Sequence, residues 1–109
     1  MAPIPSLYQD VDPKLAEKCA ASLQHHSLPL MYAPQPYAAW KHIPTTYLLC
    51  KEDQTIVYER QLKLIEDAKL AGVDVKTFTC DAGHSPFLSQ PNLTSRVIRC
   101  AAGEELEVV

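Results

Sequence analysis

The sequence predicts an α/β fold organised around one strand–helix–strand unit. Two β-branched and apolar runs, Thr45 to Cys50 and Val73 to Cys80, flank a helical segment from Val57 to Ala71. A polar loop follows each run, and the first loop contains Asp53 while the second contains His84. A right-handed crossover would make the strands parallel and place both loops at their carboxyl edge, where open parallel sheets have their sites. We therefore expect the carboxylate and the imidazole to meet.

The part before the first strand, residues 1–40, is predicted to contain an extended lead and a helical region. Pro3 and Pro5 with little periodicity favour an extended lead through residue 11. Asp12 and Pro13 then suit an N-cap acceptor and a first helical residue. The helix is expected to end near residue 24, and prolines at 29, 34 and 36 prevent another long helix before Tyr37. Its apolar residues recur at intervals of four: Leu15, Cys19 and Leu23.

Residues 41–109 are predicted to form a β-α-β-α core. Leu62, Ile65 and Leu70 indicate the core-facing side of the first helix, and Gly72 suits a left-handed C-terminal residue. Gly83 is expected to allow a positive φ immediately before the histidine. A last helix is expected over about residues 92–102.

Composition excludes several classes of protein. A net charge of −3 without a basic run argues against a general nucleic-acid surface, and no apolar stretch approaches a membrane span. The first residues lack the basic and apolar blocks of a signal peptide, so we expect a cytoplasmic protein. The four cysteines are widely spaced, which favours free thiols and predicts neither a metal site nor a cofactor.

The two loops carry a resemblance to a known family. Ile-Pro-Thr-Thr-Tyr-Leu from residue 43, then Asp53, then Asp-Ala-Gly-His-Ser-Pro-Phe from residue 81 resemble the carboxyl-terminal part of an α/β-hydrolase. The nearest branch is the esterase and hydroxynitrile-lyase-like one, and the resemblance covers roughly residues 8–103. In that family the triad runs Ser, Asp, His, with the serine in Gly-x-Ser-x-Gly. The resemblance implies Asp53 as the orienting acid and His84 as the general base. No Gly-x-Ser-x-Gly occurs, so it implies a truncated unit.

The resemblance also implies a cap over the active site within residues 1–40. Apolar residues of this region could line a substrate pocket, and simple packing of the cap on the core is the equal alternative. The candidate substrate-binding residues are Leu28, Met31, Tyr32, Tyr37, Trp40 and Phe87.

Other residues offer alternative chemistry. Asp81 could replace Asp53 as the acid, although its nearness to His84 in sequence favours stabilisation of the loop. Ser85 adjoins His84 and is poorly placed for a nucleophile that the imidazole must reach. Cys50 or Cys80 could be a thiol nucleophile, since each ends a strand near the site.

A two-stranded parallel unit is not expected to stand alone, because parallel strands are normally buried on both faces. We expect completion by homodimerisation or by a complementing chain. Three functions remain open. The chain could be an acid–base catalyst acting on a small organic substrate, a partner subunit of a serine ester hydrolase, or a non-catalytic binding protein.

Overall fold

The computed structural model describes residues 2–108, in which two parallel strands lie between helices. In chain order the elements are α1 (Pro3–Leu7), α2 (Pro13–Ala21), 3₁₀ turns at Leu28–Met31 and Ala39–Lys41, β1 (Thr46–Cys50), α3 (Tyr58–Leu70), β2 (Lys76–Cys80), α4 (Pro86–Ser89) and α5 (Pro91–Ala101). None of the helices described is long and apolar enough to cross a membrane.

The two strands pair in parallel, as the sequence predicts. The register runs from Thr46 opposite Lys76 to Cys50 opposite Cys80. α3 provides the crossover between them and packs against β1. The predicted strand–helix–strand unit is therefore confirmed, with strands shorter than the apolar runs that indicated them.

Backbone pairing continues beyond the ends of both strands. Lys51 donates its N–H to the carbonyl of Cys80 at 3.0 Å, and Glu52 donates to the carbonyl of Ala82 at 3.0 Å. These bonds hold the first residues of the two loops side by side. The residues that follow, Asp53 and His84, therefore begin from adjacent positions at the carboxyl edge.

The two faces of the sheet are covered by different helices. On one face the buried side chains of Cys50, Cys80 and Ala82 form a cluster, against which Leu48 and Leu93 of α5 pack. The crossover helix α3 covers the other face. The core is therefore small and lies directly beneath the loops.

The outer edge of β1 is partly occupied by a side chain of α3. The Gln61 carboxamide is 1% exposed, and its Oε1 accepts the N–H of Cys50 at 2.8 Å. Its Nε2 donates to the carbonyls of Cys50 at 2.9 Å and Ile56 at 2.7 Å. The carboxamide thus supplies the hydrogen bonds that a neighbouring strand would make at Cys50.

The rest of that edge is open within residues 2–108. Hydrogen bonds to β2 involve Thr45 and Lys51, and alternate residues of a parallel strand face opposite edges. Thr46 and Leu48 therefore direct their backbone groups away from β2, where the described sheet contains no third strand.

The prediction of an extended lead through residue 11 is wrong. Pro3–Leu7 is helical, with Pro3 at a position where its missing N–H costs no hydrogen bond. Tyr8 and Val11 are buried with Ala16 of α2. These apolar side chains hold the segment against the remainder of the protein.

The predicted core-facing sides of two helices also need correction. In α2 the buried residue is Ala16, whereas Leu15 and Leu23 are exposed. α2 ends at Ala21, earlier than predicted, which leaves Leu23 outside it.

In α3 the buried residues are Gln61 and Ala68, and the predicted Leu62 and Leu70 are exposed. Strands lie about 4.8 Å apart and a helix is about 10 Å wide, so two strands cover only a narrow side of a helix.

Candidate active site

The Asp53 carboxylate and the His84 imidazole form a hydrogen-bonded pair. Nδ1 of His84 lies 2.9 Å from Oδ2 of Asp53 and 3.1 Å from Oδ1. Asp53 is 7% exposed, whereas the side chain of His84 is 31% exposed. The carboxylate is therefore enclosed, and the imidazole is accessible from solvent.

The loop after β1 orients the carboxylate before the histidine reaches it. Oδ1 of Asp53 accepts the backbone N–H groups of Thr55 at 2.8 Å and Ile56 at 2.9 Å. Aspartate commonly closes this kind of local turn with its own side chain. Oδ1 is thereby engaged by the turn, and Oδ2 is left as the main acceptor for His84.

This geometry determines which nitrogen of the neutral imidazole carries the proton. A carboxylate can only accept hydrogen bonds, so Nδ1 of His84 must donate to Asp53. Nε2 on the opposite side of the ring is then the basic nitrogen. The pair is arranged for proton transfer at Nε2, with the carboxylate available to stabilise the imidazolium ion.

Gly83 is required for a different reason from the one predicted. In the described part of the chain only Gly72 and Gly103 have positive φ, so Gly83 does not. A Cβ atom at Gly83 would lie 2.6 Å from Nε2 of Gln9 and 2.8 Å from Oδ1 of Asp10. A close approach of neighbouring side chains, and not an unusual backbone conformation, accounts for the glycine.

Three residues near the amino terminus contact the two loops, and sequence reasoning missed them. The Ser6 carbonyl accepts the Thr55 hydroxyl at 2.8 Å, and Gln9 Nε2 donates to the Glu52 carbonyl at 2.5 Å. Oδ2 of Asp10 accepts the N–H of Gly83 at 2.8 Å.

The contacting residues are 43 to 73 positions apart in sequence. No local pattern reports contacts over such distances, so only the folded chain reveals them.

The candidate substrate-binding residues are not gathered around the pair. Trp40 lines an apolar cavity of about 310 Å³ that also includes Thr45 and Val75, which precede β1 and β2. Because the dyad follows the strands, this cavity lies towards the opposite edge of the sheet. The other candidates are exposed: Leu28, Met31, Tyr32, Tyr37 and Phe87.

The two strand-end cysteines are unsuited to nucleophilic attack at neutral pH. Their Sγ atoms are 3.9 Å apart, and both side chains are buried. Burial, together with the adjacent Cys80 thiol, raises the pKa of Cys50 from 9.0 to about 12. Burial and the nearby Cys50 and Asp53 also raise the pKa of Tyr47. A protonated thiol is a poor nucleophile, so the structure does not favour the thiol alternative.

The remaining alternatives are separated from the pair. Asp81 is highly exposed and lies 3.7 Å from Lys51, as expected for stabilisation of the loop. Ser85 is buried, and its carbonyl accepts the N–H groups of Leu88 and Ser89. Within residues 2–108 there is no group of three or more histidine, cysteine or acidic side chains that could hold a metal ion.

Comparisons with known proteins agree with the arrangement of the loops. A family model described as "Alpha/beta hydrolase family" matches residues 1–97. The "Alpha/beta hydrolase nvfD" of Aspergillus novofumigatus (strain IBT 16806) is 37% identical over 102 residues, which are 94% of this chain and 40% of that protein. The "Probable hydrolase R7" of Phoma sp. (strain ATCC 20986 / MF5453) is 33% identical over 100 residues, or 91% of this chain and 41% of the relative. The chain spans about two fifths of the length of the curated relatives it matches. With most of its length matched and an acid and a histidine following successive parallel strands, the chain belongs to the α/β-hydrolase family.

Proposed function

We propose that Asp53 and His84 form an acid–base pair that catalyses proton transfer on a small organic substrate. The observation that supports this most directly is the hydrogen bond from Nδ1 of His84 to the enclosed Asp53 carboxylate, on a ring that remains partly exposed. Serine chemistry is not proposed for these 109 residues themselves, since they contain no Gly-x-Ser-x-Gly.

Attack of water on an activated ester illustrates the proposed chemistry. Nε2 of His84 removes a proton from water as the water oxygen bonds to the acyl carbon. Asp53 stabilises the resulting imidazolium, which then returns the proton to the departing alkoxide as the acyl–oxygen bond breaks. The same proton transfers would serve an isomerisation, a cyclisation or an elimination, and general acid–base catalysis contributes about 10²–10⁴-fold.

The proposal is tested by the hydrolysis of p-nitrophenyl acetate. We expect His84→Ala to lower kcat/KM by about 10²-fold or more, down to the rate supported by the other histidines. His42→Ala is the matched control, because His42 stacks on Tyr37 with ring centroids 5.7 Å apart and does not belong to the pair. Equal rates for His84→Ala and His42→Ala would refute the proposal and leave a non-catalytic binding protein.

Asp53→Asn provides a sharper test than truncation. The Asn oxygen would take the place of Oδ1 and accept the N–H groups of Thr55 and Ile56. Its NH₂ group would then face Nδ1 of His84 and force the imidazole proton onto Nε2. We therefore expect Asp53→Asn to impair turnover about as strongly as His84→Ala. Retention of half the wild-type rate would contradict the proposed tautomer.

The open edge of β1 supports a second candidate, a subunit of a serine ester hydrolase. Thr46 and Leu48 present backbone groups there, and the matched relatives are about two and a half times as long as this chain. A complementing polypeptide could add a strand at this edge and bring a serine to Nε2 of His84. A second copy of the chain is the other possible occupant.

Light scattering and labelling distinguish these occupants. The chain would be mixed with the part of the Aspergillus novofumigatus relative that it does not match, about three fifths of that protein. A complex of the two polypeptides that reacts with a fluorophosphonate on the added part would support the subunit function. A dimer of the chain alone would instead support homodimerisation, and a monomer in both experiments would exclude both.

A further inference from the structure

Residues 6–10 form a clasp across the two loops that hold the dyad. From this segment the Ser6 carbonyl bonds to the Thr55 hydroxyl, and Gln9 bonds to the Glu52 carbonyl. We propose that Asp10, assisted by Gln9, is a positioning residue that holds His84 in register with Asp53. This inference rests on the proposed acid–base function and names the residues that support its geometry.

The need for the clasp follows from where the backbone ladder ends. The last backbone hydrogen bond between the loops joins Glu52 to Ala82. Beyond it, the loops are joined by the Asp53–His84 bond and by the clasp. Asp10 bonds to the N–H of Gly83, the residue directly before the histidine, at 2.8 Å. Loss of this bond would free the backbone from which the imidazole projects.

The clasp is anchored well enough to restrain a loop. Between Ser6 and Asp12, Tyr8 and Val11 are buried in a cluster with Ala16 of α2. Leu88 of α4, the short helix that follows the His84 loop, packs on the same cluster. Asp10 is therefore fixed by packing on both sides of the segment, although its own side chain is exposed.

The closeness of the clasp to Gly83 supplies an independent perturbation. A Cβ at Gly83 would lie only 2.6 Å from Nε2 of Gln9 and 2.8 Å from Oδ1 of Asp10. Both atoms end movable side chains, and Gly83 has no positive φ, so Gly83→Ala would displace the clasp without straining the backbone. Gly83→Ala and Asp10→Ala should thus impair the same function by different routes.

The test uses the imidazole Nδ1 proton of His84, observed by NMR in the ¹⁵N-labelled chain. In wild-type protein this proton is held by Asp53, and we expect Asp10→Ala to speed its exchange with solvent by about tenfold or more. Asp10→Asn keeps an acceptor oxygen for the N–H of Gly83 and should restore slow exchange. Asp12→Ala is the control, because Asp12 caps α2 through the N–H of Leu15 at 3.3 Å.

Turnover of p-nitrophenyl acetate supplies the second measurement. We expect Asp10→Ala to lower kcat about tenfold with little change in KM, since misplacement of a catalytic group is costly even without loss of binding. Wild-type exchange rates in both Asp10→Ala and Gly83→Ala would overturn the inference. If Asp10→Ala does not fold, Gln9→Leu and Gly83→Ala decide the question by the same criterion.

Failure of the clasp is distinguishable from failure of the proposed function. If His84→Ala retains full turnover, the acid–base function is wrong, yet the exchange rates still report whether Asp10 positions His84. If His84→Ala loses turnover while Asp10→Ala exchanges at the wild-type rate, only the clasp is refuted.

Discussion

Replacement of Gln61 by leucine should destabilise the protein by about 3 kcal/mol. Gln61→Leu removes three hydrogen bonds, leaving the Cys50 N–H and the carbonyls of Cys50 and Ile56 without their side-chain partner. An unsatisfied buried polar group costs about 1–3 kcal/mol, and the apolar contacts of leucine offset part of the total. Domains of this size are stable by about 5–15 kcal/mol, so the loss would be a large fraction of the whole.

Urea denaturation followed by circular dichroism measures this effect. With a slope of about 1.5 kcal/mol per molar urea, a loss of 3 kcal/mol lowers the midpoint by about 2 M. Gln54→Leu is the control, because Gln54 is exposed and makes one long hydrogen bond of 3.4 Å. Its midpoint should change by less than about 0.5 kcal/mol in free energy. A Gln61→Leu midpoint equal to that of Gln54→Leu would refute the role assigned to the carboxamide.

Gln61→Glu separates the accepting part of the carboxamide from the donating part. The new carboxylate could still accept the N–H of Cys50 but would face two carbonyl oxygens without a donor. Burial beside these carbonyls disfavours the charged form, so the folded protein should bind the proton more tightly than the unfolded chain. Stability of Gln61→Glu should therefore be highest in acid and fall as the pH rises above about 4.3, a trend absent from Gln61→Leu.

Two further predictions concern a thiol and a turn. Because burial and Cys80 raise the pKa of Cys50 to about 12, iodoacetamide at pH 8 should alkylate the partly exposed Cys100 well before Cys50, as measured by peptide mass spectrometry. An equal rate at the two thiols would contradict this burial. The same raised pKa means that the unfolded chain loses its Cys50 proton more readily, so this contribution to stability is complete below pH 9 and is lost as the pH rises towards 12. Gly72→Ala should cost about 1 kcal/mol in urea denaturation, because Gly72 adopts a φ of +85°, and an unchanged midpoint would contradict this.

Elements with a strong local signal were predictable from the sequence. α3 begins within one residue of its expected start, because its periodicity and Gly72 are local features. The side of α3 that is buried was not predictable from that periodicity. Leucines at 62 and 70 mark an apolar side, yet the narrow sheet contacts Gln61 and Ala68 instead. A glutamine in a helix reads as a surface residue until the neighbouring strand edge is known.

The candidate site divides in the same way. The loop residues Asp53 and His84 could be selected from the sequence, since a right-handed crossover places the loops after two parallel strands at one edge. The contacts of Gln9 and Asp10 could not, because they join residues 43 and 73 positions apart without any periodic pattern. The predicted pocket residues illustrate the same limit, since apolar character does not tell which edge of the sheet a side chain will approach.

The sequence alone determined the order of strand, acid, helix, strand and histidine, because local hydrophobic pattern and crossover handedness are properties of short segments. Tertiary structure decided the orientation of the Asp53 carboxylate, the hydrogen bonds that replace a neighbouring strand at Cys50, and the clasp beneath His84. Each of these depends on polar groups that are distant in sequence and meet only after the apolar clusters have packed.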